Sequence, residues 1–165
     1  VEKLSKSANL SESVYNQAVK LGEAGKIQES LNLLNQIKGN YAKAKTLYDS
    51  MNSFHKKVSL WLGTWKHRGT VNGEKTTYYI TFSEVLYKGE PCIKIKDMNN
   101  KSLGYDVEIS SKNHITQIEV GKYMIHFKLK NNHNQKLTYT LLEGKKMLRE
   151  LKYEGVTYKT KYKKK

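Results

Sequence analysis

The sequence predicts an α+β chain: a helical hairpin plus a short third helix, then an antiparallel β-barrel of about eight or nine strands. Three observations carry that prediction. Apolar residues recur at helical spacing through residues 10–50, the period becomes two from Val58 onward, and turn dipeptides then arrive at short intervals with no helix-length interruption. The change of period divides the chain into a helical segment, 1–55, and a β domain, 56–165.

The first helix is expected after Ser11 or Ser13 as N-cap, with Val14, Ala18 and Leu21 on one face. Gly22 and Gly25 interrupt the pattern and mark a tight turn. A second helix carries Ile27, Leu31, Leu34 and Ile37 and closes at Gly39-Asn40, and a shorter third carries Tyr41, Ala44, Leu47, Tyr48 and Met51. Ala18, Leu21, Gly25-Lys26, Glu29-Ser30 and Leu34 together resemble a tetratricopeptide repeat, in which small residues let two antiparallel helices approach closely. The match covers roughly residues 11–51; the early aromatic and the closing Pro of that pattern are missing, and Ser30 stands where Ala is usual.

In the β region, turns are expected at Val71-Asn72-Gly73, Lys88-Gly89, Asn99-Asn100, residues 110–113, residues 131–134, Glu143-Gly144 and Glu154-Gly155. An up-and-down meander that closes on itself removes the exposed edges such a run of strands would leave. Alternation assigns the faces. Trp61, Gly63, Trp65 and His67 share one side, as do Tyr105, Val107 and Ile109, then Tyr123, Ile125, Phe127 and Leu129, then Met147, Arg149, Leu151 and Tyr153. In the last strand Val156, Tyr158, Thr160 and Tyr162 oppose Lys159, Lys161 and Lys163.

Gly63-Thr64-Trp65 resembles the Gly-x-Trp motif that opens the first strand of lipocalins and lipocalin-like bacterial proteins. The resemblance implies that the Trp closes one end of the barrel and that a late Arg, here Arg149, packs across it. It covers about residues 58–165, without the helix that follows a full lipocalin barrel. It further implies a barrel that holds a small apolar or amphipathic ligand, with Trp61, Trp65, His67, Tyr105, Tyr123, Phe127, Arg149 and Tyr153 on the interior. The alternative is that these side chains fill a ligandless core.

The formal net charge is +15, and only Arg68 and Arg149 are arginines. Lysine offers a strongly hydrated point charge rather than a planar fork, so the composition disfavours specific nucleic-acid readout. Lys159, Lys161, Lys163, Lys164 and Lys165 form a candidate surface for anionic lipid, cell-wall polymer or nucleic acid. The competing reading is a solvated edge whose lysines guard against aggregation.

One cysteine, Cys92, excludes an internal disulfide and any Cys-clustered zinc site, and its Pro91-Cys92-Ile93 context predicts a buried thiol. His55, His67, His114, His126 and His133 stand singly, with no metal-ligand spacing, and His126 is expected at the surface. No Gly-x-Ser-x-Gly, phosphate-binding Gly-rich loop or activated Cys is present, so no catalytic residues, metal or cofactor are assigned. No apolar run approaches the roughly 18 residues of a membrane helix. The expectation is a non-enzymatic ligand-binding or protein-interaction module, exported or displayed at a bacterial cell surface, with polyanion binding as the alternative.

Overall fold

The computed structural model describes residues 2–97, 107–110, 115–129 and 135–165. Three helices, α1 (Glu2–Glu23), α2 (Ile27–Ile37) and α3 (Ala42–Val58), precede nine strands. These are β1 (Gly63–Val71), β2 (Glu74–Tyr87), β3 (Glu90–Asp97), β4 (Val107–Ser110), β5 (Ile115–Val120), β6 (Met124–Leu129), β7 (Lys136–Leu142), β8 (Lys146–Tyr153) and β9 (Val156–Lys164). No helix among the described residues is long and apolar enough to cross a membrane. Two compact units result, one of Val1–Lys57 with Glu84–Cys92, the other of Val58–Ser83 with Ile93–Lys165.

In the first unit, the predicted faces of the helices meet in one core of Ala18, Leu31, Leu34, Ala44, Leu47 and Met51, joined by Leu86 from β2. Two expectations are corrected here. Helix α1 begins well before Ser11, so neither Ser11 nor Ser13 caps it, and α3, at 17 residues against 11 for α2, is the longer of the two. Ser11 and Ser13 fall inside α1, and α3 continues past Met51 to Val58.

Gly22 and Gly25 also play different parts. Gly25 takes φ +81° after α1, where Lys26 N–H donates to Leu21 O and Gly25 N–H to Gly22 O, the paired bonds of a Schellman C-cap. Gly22 is still helical, and a Cβ there would collide with the Leu86 side chain. Ser30, where a repeat would carry Ala, is fully buried, and its Oγ donates to the Ala18 carbonyl at 2.6 Å. A small polar residue thus lets the helices approach while satisfying its own hydroxyl.

The strand order is β4-β3-β2-β1-β9-β8-β7-β6-β5. Tight hairpins set much of the register: Asn72 and Gly73 both have positive φ, as do Lys88-Gly89 and Glu154-Gly155, the geometry that matches strand twist in two-residue loops. Because β1 pairs antiparallel with β9 and each sequential hairpin reverses direction, β4 and β5 must run the same way. The nine strands of the described residues thus form one antiparallel sheet, strongly curled into a half-barrel.

Side-chain contacts measure the curl. Phe82 on β2 and Tyr139 on β7 stack edge to face with centroids 5.3 Å apart, although four inter-strand steps separate them along the sheet. At ~4.8 Å per step, a flat sheet would hold them about 19 Å apart. Trp61, Trp65, Phe82, Phe127, Tyr139 and Tyr162 are all essentially fully buried and fill the concave face. Trp61 lies before β1, not within it, and its indole N–H donates to the Gly121 carbonyl at 3.0 Å.

Candidate functional site

Among the described residues, the interior of the sheet holds an ion pair. Arg149 Nε on β8 donates to Asp97 Oδ2 on β3 at 2.7 Å, and Tyr139 OH on β7 donates to the same oxygen at 2.7 Å. Arg149 is 4% exposed and Asp97 fully buried, so their attraction acts with little solvent screening. Burial by itself pulls the guanidinium pKa down, but the charge and hydrogen bond of Asp97, joined by Tyr139 and Tyr162, together outweigh it and leave the value above the ordinary one. Burial, then the Asp97 charge, raises the Tyr139 phenol well above its usual value. This group is a packed core element with its charges matched, and its Arg149 Nη2 alone lacks a hydrogen-bond partner.

Alternation correctly turned Arg149 inward, but it does not pack across Trp65 as the lipocalin resemblance implied. The cation over that ring is Lys164, with Nζ 5.3 Å from the centroid. The register explains the exchange: Arg149 stands opposite Thr160 on β9, whereas Trp65 stands opposite Lys164.

At the end of the sheet marked by Trp65, the β1 start, the β5–β6 turn, the end of β7 and the end of β9 surround a cavity of about 400 Å³. Leu60, Trp65, Tyr123, Leu141 and Leu142 give it an apolar lining, and Glu143, Lys145 and Lys164 supply its charges. Lys164 donates Nζ–H to the Leu60 carbonyl at 3.0 Å. Its pKa is lowered, first by burial and then by the neighbouring Lys145. Two ammonium groups therefore sit close enough to repel one another beside an apolar hollow.

Of the residues expected on the interior, Trp65 lines this cavity and Trp61, Phe127 and Arg149 are buried in the core. His67 is partly buried between Tyr78 and Tyr162, at ring distances of 6.2 and 5.7 Å, and donates Nδ1–H to the Lys161 carbonyl at 3.0 Å. Its role in the structure is to bridge β1 and β9. Tyr123 is not interior: it precedes β6 in a bend and is 58% exposed, forming the cavity's wall from outside. Tyr153 is only half-buried at the β8–β9 hairpin, and Tyr158 beside it is exposed, so the inward tyrosine row of β9 reduces to Tyr162. Tyr105 falls outside the described residues.

Lys159, Lys161, Lys163 and Lys165 are exposed, as expected for an outer surface. Lys164 departs from that set, because alternation along β9 places it on the face of Tyr162 and hence against Trp65. His126 is partly exposed and 3.5 Å from Glu119, and Cys92 is fully buried. Among the described residues no three His, Cys, Asp or Glu side chains gather as metal ligands.

The cavity itself was not anticipated. Its lining comes from four separated stretches, and of the residues expected to bind a ligand it brings together Trp65 and Tyr123. Comparison with known proteins finds no match, whether to a family model, a curated protein or a solved structure.

Proposed function

We propose that this protein is a non-enzymatic binding module and that its site is the apolar mouth at Trp65, which takes a small amphipathic molecule. The observation that carries the reading is the cavity of about 400 Å³, apolar in its floor and walls and cationic at its edge. That volume falls in the lower part of the ~300–1,000 Å³ span of small-molecule pockets. Its combination of an apolar body with a few polar groups is what such pockets use to bind and orient a ligand. A lipocalin-like ancestry of the barrel, a repeat-like ancestry of the helices, and display outside the cytoplasm or at a bacterial cell surface belong with this proposal. They rest on Gly63-Thr64-Trp65 and the helical spacing.

The test is titration with the amphipathic dye anilinonaphthalene sulfonate. Saturable dye fluorescence in the native protein, abolished by Leu141→Trp filling the cavity, is expected. Equal dye binding by the native protein and the filled variant would remove the cavity as the site.

A further inference from the structure

Four of the large apolar side chains that the fold leaves exposed gather at this same end: Leu60 at 47%, Tyr123 at 58%, Met124 at 47% and Leu142 at 38%. Leu60, Tyr123 and Leu142 border the cavity, and Met124 follows Tyr123 in the chain. Lysines surround them. The register sets Lys66 on β1 directly opposite Lys163 on β9, and Lys163 directly opposite Lys146 on β8, giving an unbroken transverse row of three like charges. In the adjacent pair β7–β8, Lys146 stands opposite Leu142, so the row ends on the apolar cluster. Lys122 adds a charge above the Tyr123 ring, and Lys145 another at the cavity.

Like charges directly opposite on neighbouring strands destabilise a sheet. Here no acidic side chain among the described residues neutralises Lys66, Lys146 or Lys163. The carboxylates near this end are Glu143, in the β7–β8 turn, and Glu119, which lies 3.5 Å from His126. A surface that keeps such a row beside an exposed apolar cluster is complementary to a partner that is anionic and apolar at once.

We infer that this end of the β unit docks on an anionic lipid bilayer, with Leu60, Tyr123, Met124 and Leu142 entering the interface and the lysine row engaging the headgroups. Exposed apolar groups framed by lysines suit a lipid interface, because the apolar side chains bury among the acyl chains while each ammonium remains with phosphate and water. A soluble polyanion would satisfy the lysines and leave the four apolar side chains in water. Nucleic-acid readout would call for arginine forks, and Arg68 is the one arginine besides the buried Arg149.

The experiment is flotation of the full chain with vesicles of phosphatidylcholine alone or with about one-third phosphatidylglycerol. Binding to the anionic vesicles only, weakening as salt rises, is expected. Lys66→Gln, Lys146→Gln and Lys163→Gln together should weaken it about a hundredfold, from the contribution typical of a basic residue at an anionic surface. Tyr123→Ser with Leu142→Ser should weaken it at least about tenfold while preserving the salt dependence. Lys146, Lys163, Tyr123 and Leu142 are exposed and Lys66 is half-buried, and circular dichroism verifies folding. The inference is overturned by absence of binding to anionic vesicles at low salt, by indifference to either variant, or by tighter binding of a thymidine oligonucleotide. Failure of docking with dye binding intact leaves the cavity reading standing; loss of dye binding with docking intact does the reverse.

Discussion

Arg149 and Asp97 meet at 2.7 Å although β8 and β3 are four strands apart in the sheet. Their bond closes the concave face, so each depends on the other for solvation. Truncating Asp97 to Ala leaves a guanidinium buried without its counter-charge, and urea unfolding should show a loss of about 3–5 kcal/mol. A triple variant, Asp97→Leu with Arg149→Met and Tyr139→Phe, removes the charges and the phenol together and should recover most of that loss. Equal destabilisation of the single and triple variants would show that shape, not charge, matters there.

Gly22 offers a contest between two known effects. Alanine favours helix over glycine by about 1 kcal/mol, whereas forcing a methyl into a packed contact costs about 1–3 kcal/mol. The obstructing atoms are Cβ and Cγ of Leu86 as well as its tip, so the neighbour has little room to yield. Gly22→Ala should therefore lower the melting temperature, and adding Leu86→Ala should relieve part of the decrease. Simple additivity of the two substitutions would refute the contact.

Glu84 gives the helical unit a pH dependence. Its carboxyl is 5% exposed and hydrogen-bonded to His55 Nδ1 at 2.5 Å; burial raises its pKa, and the His55 hydrogen bond and charge only partly oppose this. A carboxyl whose folded pKa is raised contributes stability in full below its unfolded value and loses it as pH rises through the folded value. Melting temperature should accordingly fall as pH climbs through that window. Glu84→Gln should flatten the fall and gain on the order of 1 kcal/mol above it. An unchanged slope in the variant would assign the effect elsewhere.

Cys92 is fully buried, with Sγ 3.6 Å from the Glu90 carbonyl. A thiol reagent should leave it unmodified in native buffer and react stoichiometrically in denaturant. Rapid labelling of the native protein would contradict the packing of this hairpin.

The sequence disclosed what depends on local pattern and concealed what depends on distant partners. Period-two alternation turned Ile125, Phe127, Met147 and Arg149 inward, and Asn72-Gly73 announced its hairpin, because both signals are contained within one strand or turn. Asp97 gave no hint, since it ends a strand reading Lys-Ile-Lys-Asp and its partner lies 52 residues away. Alternation failed at Tyr123 and Tyr158, where the chain bends or extends past the covered part of the sheet. The company of lysines puts Lys164 on the outer surface, whereas parity with Tyr162 places it inside, against Trp65. The cavity required knowing which strand ends meet.

The β1–β9 pairing has a temporal consequence. Trp65 is registered against Lys164, so the β unit is joined by strands from its two ends. Loop closure on that scale must precede the contacts that reward it, which places the domain among topologies that fold slowly for their size. On the ribosome, β1 would wait through the synthesis of every intervening strand, its Trp65 surface uncovered until β9 emerges to receive it.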